Sequence, residues 1–299
     1  MTTRIEQLFD AYSSDLERYA PALKGHFGCP ICMRAFGRVP DLRKVVAEEH
    51  VVPRALGGRL VTLTCRPCNN SAGSELESHL VQRVRVDNGQ IPAAVRMQVG
   101  DAVQRGGFRA QSDSNPAFEI KVVGKQSDPR QAEELKRLFR AGVEDVHLNL
   151  NYGYVLLRSV VALVRSAYLL MFRTFGYRFI LDPSAQVLRD QISQPLTETE
   201  VLKGISWRMA APVACDTALG IATWPDNELS FFALLALDKD SEHKSAVVVP
   251  PPGVDGSLFY KHLPALGQKR KCNLTILPMA DGFVPLEELW AHFAAREAT

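Results

Sequence analysis

The sequence predicts an α+β fold, with a small cysteine-containing segment near the N-terminus and a larger mixed domain behind it. The chain has 299 residues, about twice the usual domain size. Its composition, 46% hydrophobic and 23% charged, is typical of a folded protein that buries a core. Segments with helical and with strand periodicity follow one another without an internal repeat.

The first elements can be placed from periodicity. Residues 1–25 are predicted to form a helix, because apolar residues recur at three- and four-residue spacing, namely Ile5, Leu8, Phe9, Tyr12, Leu16 and Tyr19. Residues 45–52 are rich in β-branched side chains and form a predicted strand that ends at Pro53. The glycines at 57–58 indicate a turn, and residues 60–64 form the returning strand.

A helical stretch follows the hairpin. Pro67 suits the first turn of a short helix, which Gly73 should interrupt. The pattern SELE at residues 74–77 is typical of a capping box that starts a second helix. That helix is expected to bury Leu76, Leu80 and Val84.

The composition changes at residues 87–92, DNGQIP, which we interpret as a linker and a domain boundary. The predicted organisation is therefore an N-terminal helix (1–25), a compact segment (26–86) and an α+β domain (93–299). In the last part we predict strands at residues 118–123, 229–237 and 246–249, and helices at 130–140, 154–175 and 285–296.

The whole-chain charge and the N-terminal residues bear on the kind of partner and on the cellular location. With 35 Lys and Arg against 33 Asp and Glu, the formal charge is only +2, so a nucleic-acid partner must be argued from a local site. The N-terminal residues are charged and lack the apolar core of a signal peptide, which favours a reducing, cytoplasmic location. The apolar residues 155–172 contain Arg158 and Arg165, so we predict a buried helix of a soluble domain and no membrane partner.

Four of the cysteines form two CxxC pairs, Cys29 with Cys32 and Cys65 with Cys68. Two residues between thiolates let one tight turn present both sulfurs to the same ion, and two such turns supply four tetrahedral ligands. In a reducing compartment this spacing favours a structural Zn²⁺ site over disulfides.

The residues between and on these pairs resemble a known family. The string EHVVP at residues 49–53, the glycines at 57–58 and the string CRPCNN at 65–70 are similar to an HNH endonuclease domain. This is the ββα-metal fold in its four-cysteine form, as in sites of the phage recombination endonuclease VII type. The resemblance covers about residues 26–80.

The resemblance implies a metal-dependent endonuclease that hydrolyses DNA phosphodiester bonds. Glu49 and Asn69 would hold Mg²⁺ or Mn²⁺, and His50 would act as the general base that activates water. Neighbouring strand residues point to opposite faces, which allows Glu49 and His50 to divide these tasks. Zinc would only build the scaffold, because four thiolates leave no open position.

The sequence departs from the family pattern at three places. Residues 58–64, GRLVTLT, contain no Asn to orient the catalytic histidine, and Thr62 or Thr64 would have to substitute. The acid at position 49 is Glu where Asp is common, and position 73 is Gly where a further His ligand could stand. We therefore expect a site with two protein ligands and weak metal binding before DNA arrives.

Basic residues are concentrated in this part of the chain. Residues 26–70 contain seven Lys and Arg against three Asp and Glu. Arg54, Arg59 and Arg66 lie on the predicted turn and the second CxxC pair, so they are the candidate phosphate contacts.

Several alternatives stay open at this point. The segment could be a non-catalytic zinc-knuckle module that binds nucleic acid or protein. If it is a nuclease, its substrate could be branched DNA or RNA instead of double-stranded DNA. The C-terminal domain could serve targeting, regulation or assembly, through an oligomer or a partner protein. One helix face would carry Arg158, Arg165 and Arg173, and it either contacts DNA, pairs with acids inside the fold or forms a solvated stripe. We favour internal pairing or a solvated stripe.

Overall fold

The structure is a computed structural model of the chain. It describes residues 2–88, 90, 93–99, 102–110, 118–122, 129–142, 147–203, 205–209, 217–224, 229–237, 244–268, 273–277 and 283–285. Helices and strands are both abundant, so the mixed α and β class is confirmed.

By its internal contacts the chain forms two compact units. The first unit combines Met1–Glu77 with Val160–Thr299, and the second is Ser78–Ser159. Residues far apart in sequence therefore share one unit. The domain boundaries that the sequence predicts, at residues 86 and 93, stay a prediction.

The first unit begins with helix α1, Arg4–Tyr19. Thr3 and Glu6 form a reciprocal capping box that satisfies the free N–H groups of the first turn. The helix buries its apolar side chains on one face, among them Phe9, Tyr12 and Leu16. The predicted N-terminal helix is thus confirmed, with an end at Tyr19 rather than at residue 25.

Two small antiparallel strand pairs follow. Strands β1 (His26–Gly28) and β2 (Ala35–Gly37) flank the first CxxC pair. Strands β3 (Val46–His50) and β4 (Val61–Cys65) form the predicted hairpin. Its turn needs both glycines, since Gly57 adopts a φ of 83° and a Cβ on Gly58 would lie 1.8 Å from the Val52 carbonyl oxygen.

Helix α2, Arg66–Ala72, opens inside the second CxxC pair, with Pro67 in its first turn. The predicted interruption and capping box after it are wrong. Gly73 keeps right-handed helical angles, and the chain continues through a π-helical turn, Gly73–Glu77. The Ser74 hydroxyl donates to the carbonyls of Asn70 and Ser71, as within a helix, and does not cap a new one.

The second unit starts with helix α3, Ser78–Asp87, in which Leu80 and Val84 are buried as predicted. Its antiparallel sheet has the strand order β7-β6-β5-β8. The strands and the helix of this unit are β5 (Ala93–Val99), β6 (Ala102–Ala110), β7 (Phe118–Val122), α4 (Pro129–Arg140) and β8 (His147–Asn151).

Helix α5, Leu156–Phe175, returns the chain to the first unit. Its residues 161–170 are all buried, which confirms the predicted buried helix. Two helices follow, α6 (Tyr177–Ile180) and α7 (Pro183–Ser193). Within the described residues, every helix is too short or too polar to span a bilayer.

A five-stranded antiparallel sheet completes the first unit, in the order β13-β10-β11-β12-β9. Phe175 of α5 contacts Phe231 of this sheet with ring centroids 5.5 Å apart, so α5 and the sheet share a core. The elements are β9 (Ser206–Met209), β10 (Ala218–Thr223), β11 (Leu229–Leu235), β12 (Lys244–Val249), α8 (Gly256–Gln268) and β13 (Asn273–Leu277). The predicted final helix at residues 285–296 lies outside the described residues, apart from Pro285, which is not helical.

Candidate metal centre and active site

The two CxxC pairs meet at one point. The sulfurs of Cys29, Cys32, Cys65 and Cys68 all lie within 4.8 Å of one another, and those of Cys32 and Cys65 are 3.7 Å apart. A Zn–S bond of about 2.3 Å in a tetrahedron places sulfurs about 3.8 Å apart. The four cysteines are therefore arranged to bind a metal ion, and their spacing is compatible with structural zinc.

Backbone geometry shapes the first pair. The Cys29 N–H donates to the Arg34 carbonyl and the Met33 N–H donates to the Cys29 carbonyl, both at 2.9 Å. Met33 adopts a left-handed φ of 59° in this tight turn. The Arg34 Nε donates to the Cys32 sulfur at 3.4 Å, which places a positive charge beside a thiolate ligand.

Two tyrosines beyond residue 160 hold this turn in place. The Tyr168 hydroxyl donates to the Pro30 carbonyl at 2.7 Å. The Tyr177 hydroxyl donates to the Gly28 carbonyl at 2.5 Å and accepts the Gly28 N–H at 2.8 Å. Burial raises the pKa of both hydroxyls, so they stay neutral donors. The first CxxC pair is thus anchored to α5 and α6.

The structure brings Glu49 and Asn69 together. Glu49 lies on β3 opposite Thr62 of β4, and its side chain is 3% exposed. The Asn69 amide, in the first turn of α2, donates to Glu49 Oε2 and to the Glu48 carbonyl. The Thr64 hydroxyl donates to the same Oε2 at 3.4 Å. The second CxxC pair therefore positions Asn69 directly against the carboxylate.

The other oxygen of Glu49 is held from a distant part of the chain. Arg165 of α5, 4% exposed, donates from Nη1 to Glu49 Oε1 at 2.7 Å and to Glu77 Oε1 at 3.0 Å. Burial, followed by the charge of Glu49, raises the pKa of Glu77 to about 7. Burial disfavours the charge of Arg165, but its two carboxylate partners outweigh this and raise its pKa.

His50 ends β3 and pairs with Val61, so its side chain points away from the face that carries Glu49. The ring is half-buried. Neither threonine substitutes for the family's asparagine: the Thr62 hydroxyl is bonded to that of Tyr12 at 2.6 Å, and Thr64 donates to Glu49. His50 and the carboxylate are adjacent in the chain but lie on opposite sides of the strand.

This ββα arrangement with a cysteine tetrad agrees with a family comparison. The sequence model of the HNH endonuclease family matches residues 29–85. That segment is therefore similar to an HNH endonuclease domain. No curated protein and no solved structure matches the chain significantly. The match ends before α5, so Arg165 lies outside it.

The predicted phosphate contacts lie on the surface of the HNH segment. Arg54, Arg59 and Arg66 are exposed. The Arg66 Nε donates to the Arg43 carbonyl at 2.8 Å, which orients the Arg66 side chain. The terminal nitrogens of Arg66 take no part in that hydrogen bond. Arg54 is in the 3₁₀ turn that follows Pro53, immediately after the strand that carries His50.

The donors around Glu49 fit a hard divalent cation. A carboxylate and an amide oxygen are ligands that Mg²⁺ and Mn²⁺ prefer. Asn69 contacts Glu49 through its Nδ2, so a shared ion would require the amide to turn its Oδ1 towards the carboxylate. Asn69 and Glu77 are only partly buried, so the HNH site opens to solvent on their side. Two protein ligands would leave most of the coordination shell of such a cation to waters and a phosphate.

The sequence analysis missed Glu77 and left Arg165 undecided. Arg165 forms an internal ion pair, one of the three alternatives for the arginines of this helix. A charged residue inside an otherwise apolar helix is the signal that indicated a buried partner. Glu77 had no such signal, because a glutamate in a helical turn is ordinarily solvated.

Proposed function

We propose that this protein is a metal-dependent endonuclease that hydrolyses phosphodiester bonds in DNA. The observation that carries the proposal is the contact between Asn69 and the Glu49 carboxylate, next to a cysteine tetrad and within a segment that matches HNH endonucleases. The family match supports a nucleic-acid substrate, and double-stranded DNA is our choice among the possible forms.

In this proposal the residues of the chain divide the work. Glu49 and Asn69 would hold Mg²⁺ or Mn²⁺, and the bound ion would supply polarisation of the phosphate and stabilisation of charge on the leaving 3′ oxygen. The imidazole of His50 accepts the proton of the attacking water through one of its ring nitrogens. The cysteine tetrad holds Zn²⁺ and keeps α2 against the hairpin, so that Asn69 stays in place.

The surroundings of the site support nucleic acid as the substrate. Arg54, Arg59 and Arg66 are exposed on the same segment and would contact backbone phosphates. The segments from residue 93 onward would add targeting, regulation or assembly with a second copy or a partner protein. A reducing cytoplasm would keep the four thiolates free for zinc.

The test is cleavage of plasmid DNA with Mg²⁺ or Mn²⁺. His50→Ala should still bind the metal and DNA but lose about two to four orders of magnitude in single-turnover rate, because the proton acceptor is gone. His26→Ala is the matched control, since it removes an imidazole whose Nδ1 lies near the Lys24 carbonyl and should leave the rate unchanged. A His50→Ala protein that cuts as fast as the wild type would remove this mechanism.

Changes to the metal ligands should give a different phenotype. Glu49→Ala and Asn69→Ala should lose activity together with affinity for the divalent metal, and extra Mn²⁺ should partly restore cleavage. The His50→Ala protein should not respond to extra Mn²⁺. Identical responses of these variants would contradict the proposed division of work.

The alternative function is a non-catalytic zinc-knuckle module that binds nucleic acid or protein. Two observations favour it: Thr62 and Thr64 bond to residues other than His50, and Glu49 is already paired with Arg165. Metal-independent DNA binding without cleavage by the wild-type protein would support this alternative. Cleavage that depends on His50 would exclude it.

A further inference from the structure

A residue far from the HNH segment contacts the proposed metal ligand directly. Arg165 Nη1 lies 2.7 Å from Glu49 Oε1 and 3.0 Å from Glu77 Oε1. The two residues of the Arg165–Glu49 pair are 116 positions apart in sequence, and both side chains are almost fully buried. A charge-assisted hydrogen bond between two groups with such low exposure restricts how the carboxylate can turn.

The position of Arg165 is itself tightly determined. Tyr168 and Phe172 follow it on the same face of α5, at three and seven residues. Tyr168 donates to the Pro30 carbonyl at 2.7 Å, and Phe172 stacks on Tyr12 with ring centroids 4.4 Å apart. One face of α5 is thus attached to the first CxxC turn, to α1 and to Glu49.

The two oxygens of Glu49 have different partners. Oε1 accepts from Arg165, while Oε2 accepts from the Asn69 Nδ2 and the Thr64 hydroxyl. We propose that Arg165 is a positioning residue that binds Oε1 and thereby presents Oε2 to the catalytic metal beside Asn69. The proposal deepens the proposed function and rests on it, because it assigns a role within the same metal site.

Glu77 keeps this arrangement compatible with a cation. An arginine beside a metal site repels the ion, but the second carboxylate on Nη1 leaves Glu49, Glu77 and Arg165 with a net charge of −1 when both acids are ionised. Partners that orient a ligating carboxylate typically contribute 10- to 100-fold in metal affinity or activity. The HNH segment matched at residues 29–85 therefore lacks one part of its own site, which α5 supplies.

The test measures Mn²⁺ binding by the full-length, zinc-loaded protein in the presence of a DNA duplex with non-hydrolysable linkages, because metal binding before DNA arrives is expected to be weak. The readout is the loss of the free Mn²⁺ signal in electron paramagnetic resonance. Glu49→Gln defines the binding that belongs to this site. Arg165→Gln should weaken it by about 10- to 100-fold, and Arg165→Lys should fall between Gln and wild type, since a lysine keeps the charge without the planar fork. Arg173→Gln, which removes a charge from the same helix beside Tyr12 and Phe283, should bind Mn²⁺ like the wild type.

A second readout separates positioning from a general loss of structure. Zinc content must stay at one ion per chain in each variant, and high Mn²⁺ should recover much of the cleavage lost in Arg165→Gln. Equal or tighter Mn²⁺ binding by Arg165→Gln would overturn the proposal, because Arg165 would then be neutral or a competitor of the metal. If Arg165→Gln loses its zinc, Arg165→Lys decides in the same way: equal or tighter binding than wild type overturns the proposal.

The outcome distinguishes this inference from the proposed function. If the wild type and Glu49→Gln bind Mn²⁺ equally, no Mn²⁺ binding depends on Glu49, and the metal site itself is contradicted. A wild-type protein that binds Mn²⁺ through Glu49, with an Arg165→Gln variant of unchanged affinity, contradicts only the role of Arg165.

Discussion

The buried pair of Glu49 and Arg165 makes a sharp prediction about stability. Arg165→Met replaces the guanidinium by an apolar side chain and leaves the Glu49 carboxylate, 3% exposed, without its charged partner. The hydrogen bonds from Asn69 and Thr64 remain. We expect this single change to destabilise the first unit strongly, because the remaining charge is already removed from water.

The expected size follows from the burial of both partners. Removing one member of a buried ion pair costs about 3–5 kcal/mol, a large share of the roughly 5–15 kcal/mol that stabilises a typical protein. Combining Arg165→Met with Glu49→Gln removes both charges of the pair, and such replacements are often close to neutral. The double variant should therefore be more stable than Arg165→Met alone, by roughly 2 kcal/mol.

Urea unfolding of the full-length, zinc-loaded proteins measures the free energy of unfolding of each variant. Circular dichroism and zinc release are followed on the same samples. Arg173→Met serves as the control, since Arg173 lies beside Tyr12 and Phe283 rather than at Glu49. If Arg165→Met unfolds within about 0.5 kcal/mol of the wild type, or if Glu49→Gln gives no recovery, the pair does not carry the energy assigned to it.

Three further predictions concern the zinc site, the surface and the pH response. Cys65→Ser should unfold the segment around the tetrad, since structural zinc contributes about 10–16 kcal/mol in small domains; zinc analysis and proteolysis measure this. Neutralising Arg54 or Arg59 should weaken DNA binding at every sequence and flatten the salt dependence by about one unit each. Burial and the charge of Glu49 raise the pKa of Glu77 to about 7, so stability should fall as pH rises from about 4.5 to 7. Glu77→Gln should remove that fall, and Glu75→Gln, on an exposed residue, should not.

Each of these has an outcome that contradicts it. Protein purified without chelators that contains no zinc would invalidate the tetrad. An unchanged salt slope in both arginine variants would place the DNA path elsewhere. For Glu77, the sign is specific: the folded state holds the proton more tightly than the unfolded state, so the advantage of Glu77→Gln must grow from pH 5 to pH 8. An advantage that shrinks over this range would refute the raised pKa.

Much of the local structure could be predicted because its causes are local. The spacing of the CxxC pairs requires two tight turns around one ion, and the glycines at 57–58 require the hairpin turn that the structure contains. The order of strand, strand and helix followed from the β-branched run and from Pro67. The prediction of a capping box at Ser74 was wrong because the local pattern is ambiguous. The same residues also suit a helix that continues through a π turn.

By itself the sequence determined the cysteine tetrad, the hairpin, the helix that bears Asn69 and the resemblance to HNH endonucleases, since each depends on residues close together in the chain. Only the tertiary structure decided which arginine of α5 faces inward, and that it meets Glu49 and Glu77. Only the fold placed Tyr168 and Tyr177 on the first CxxC turn. Contacts between residues more than a hundred positions apart depend on how α5 packs, and helical periodicity predicts a buried face without identifying what covers it.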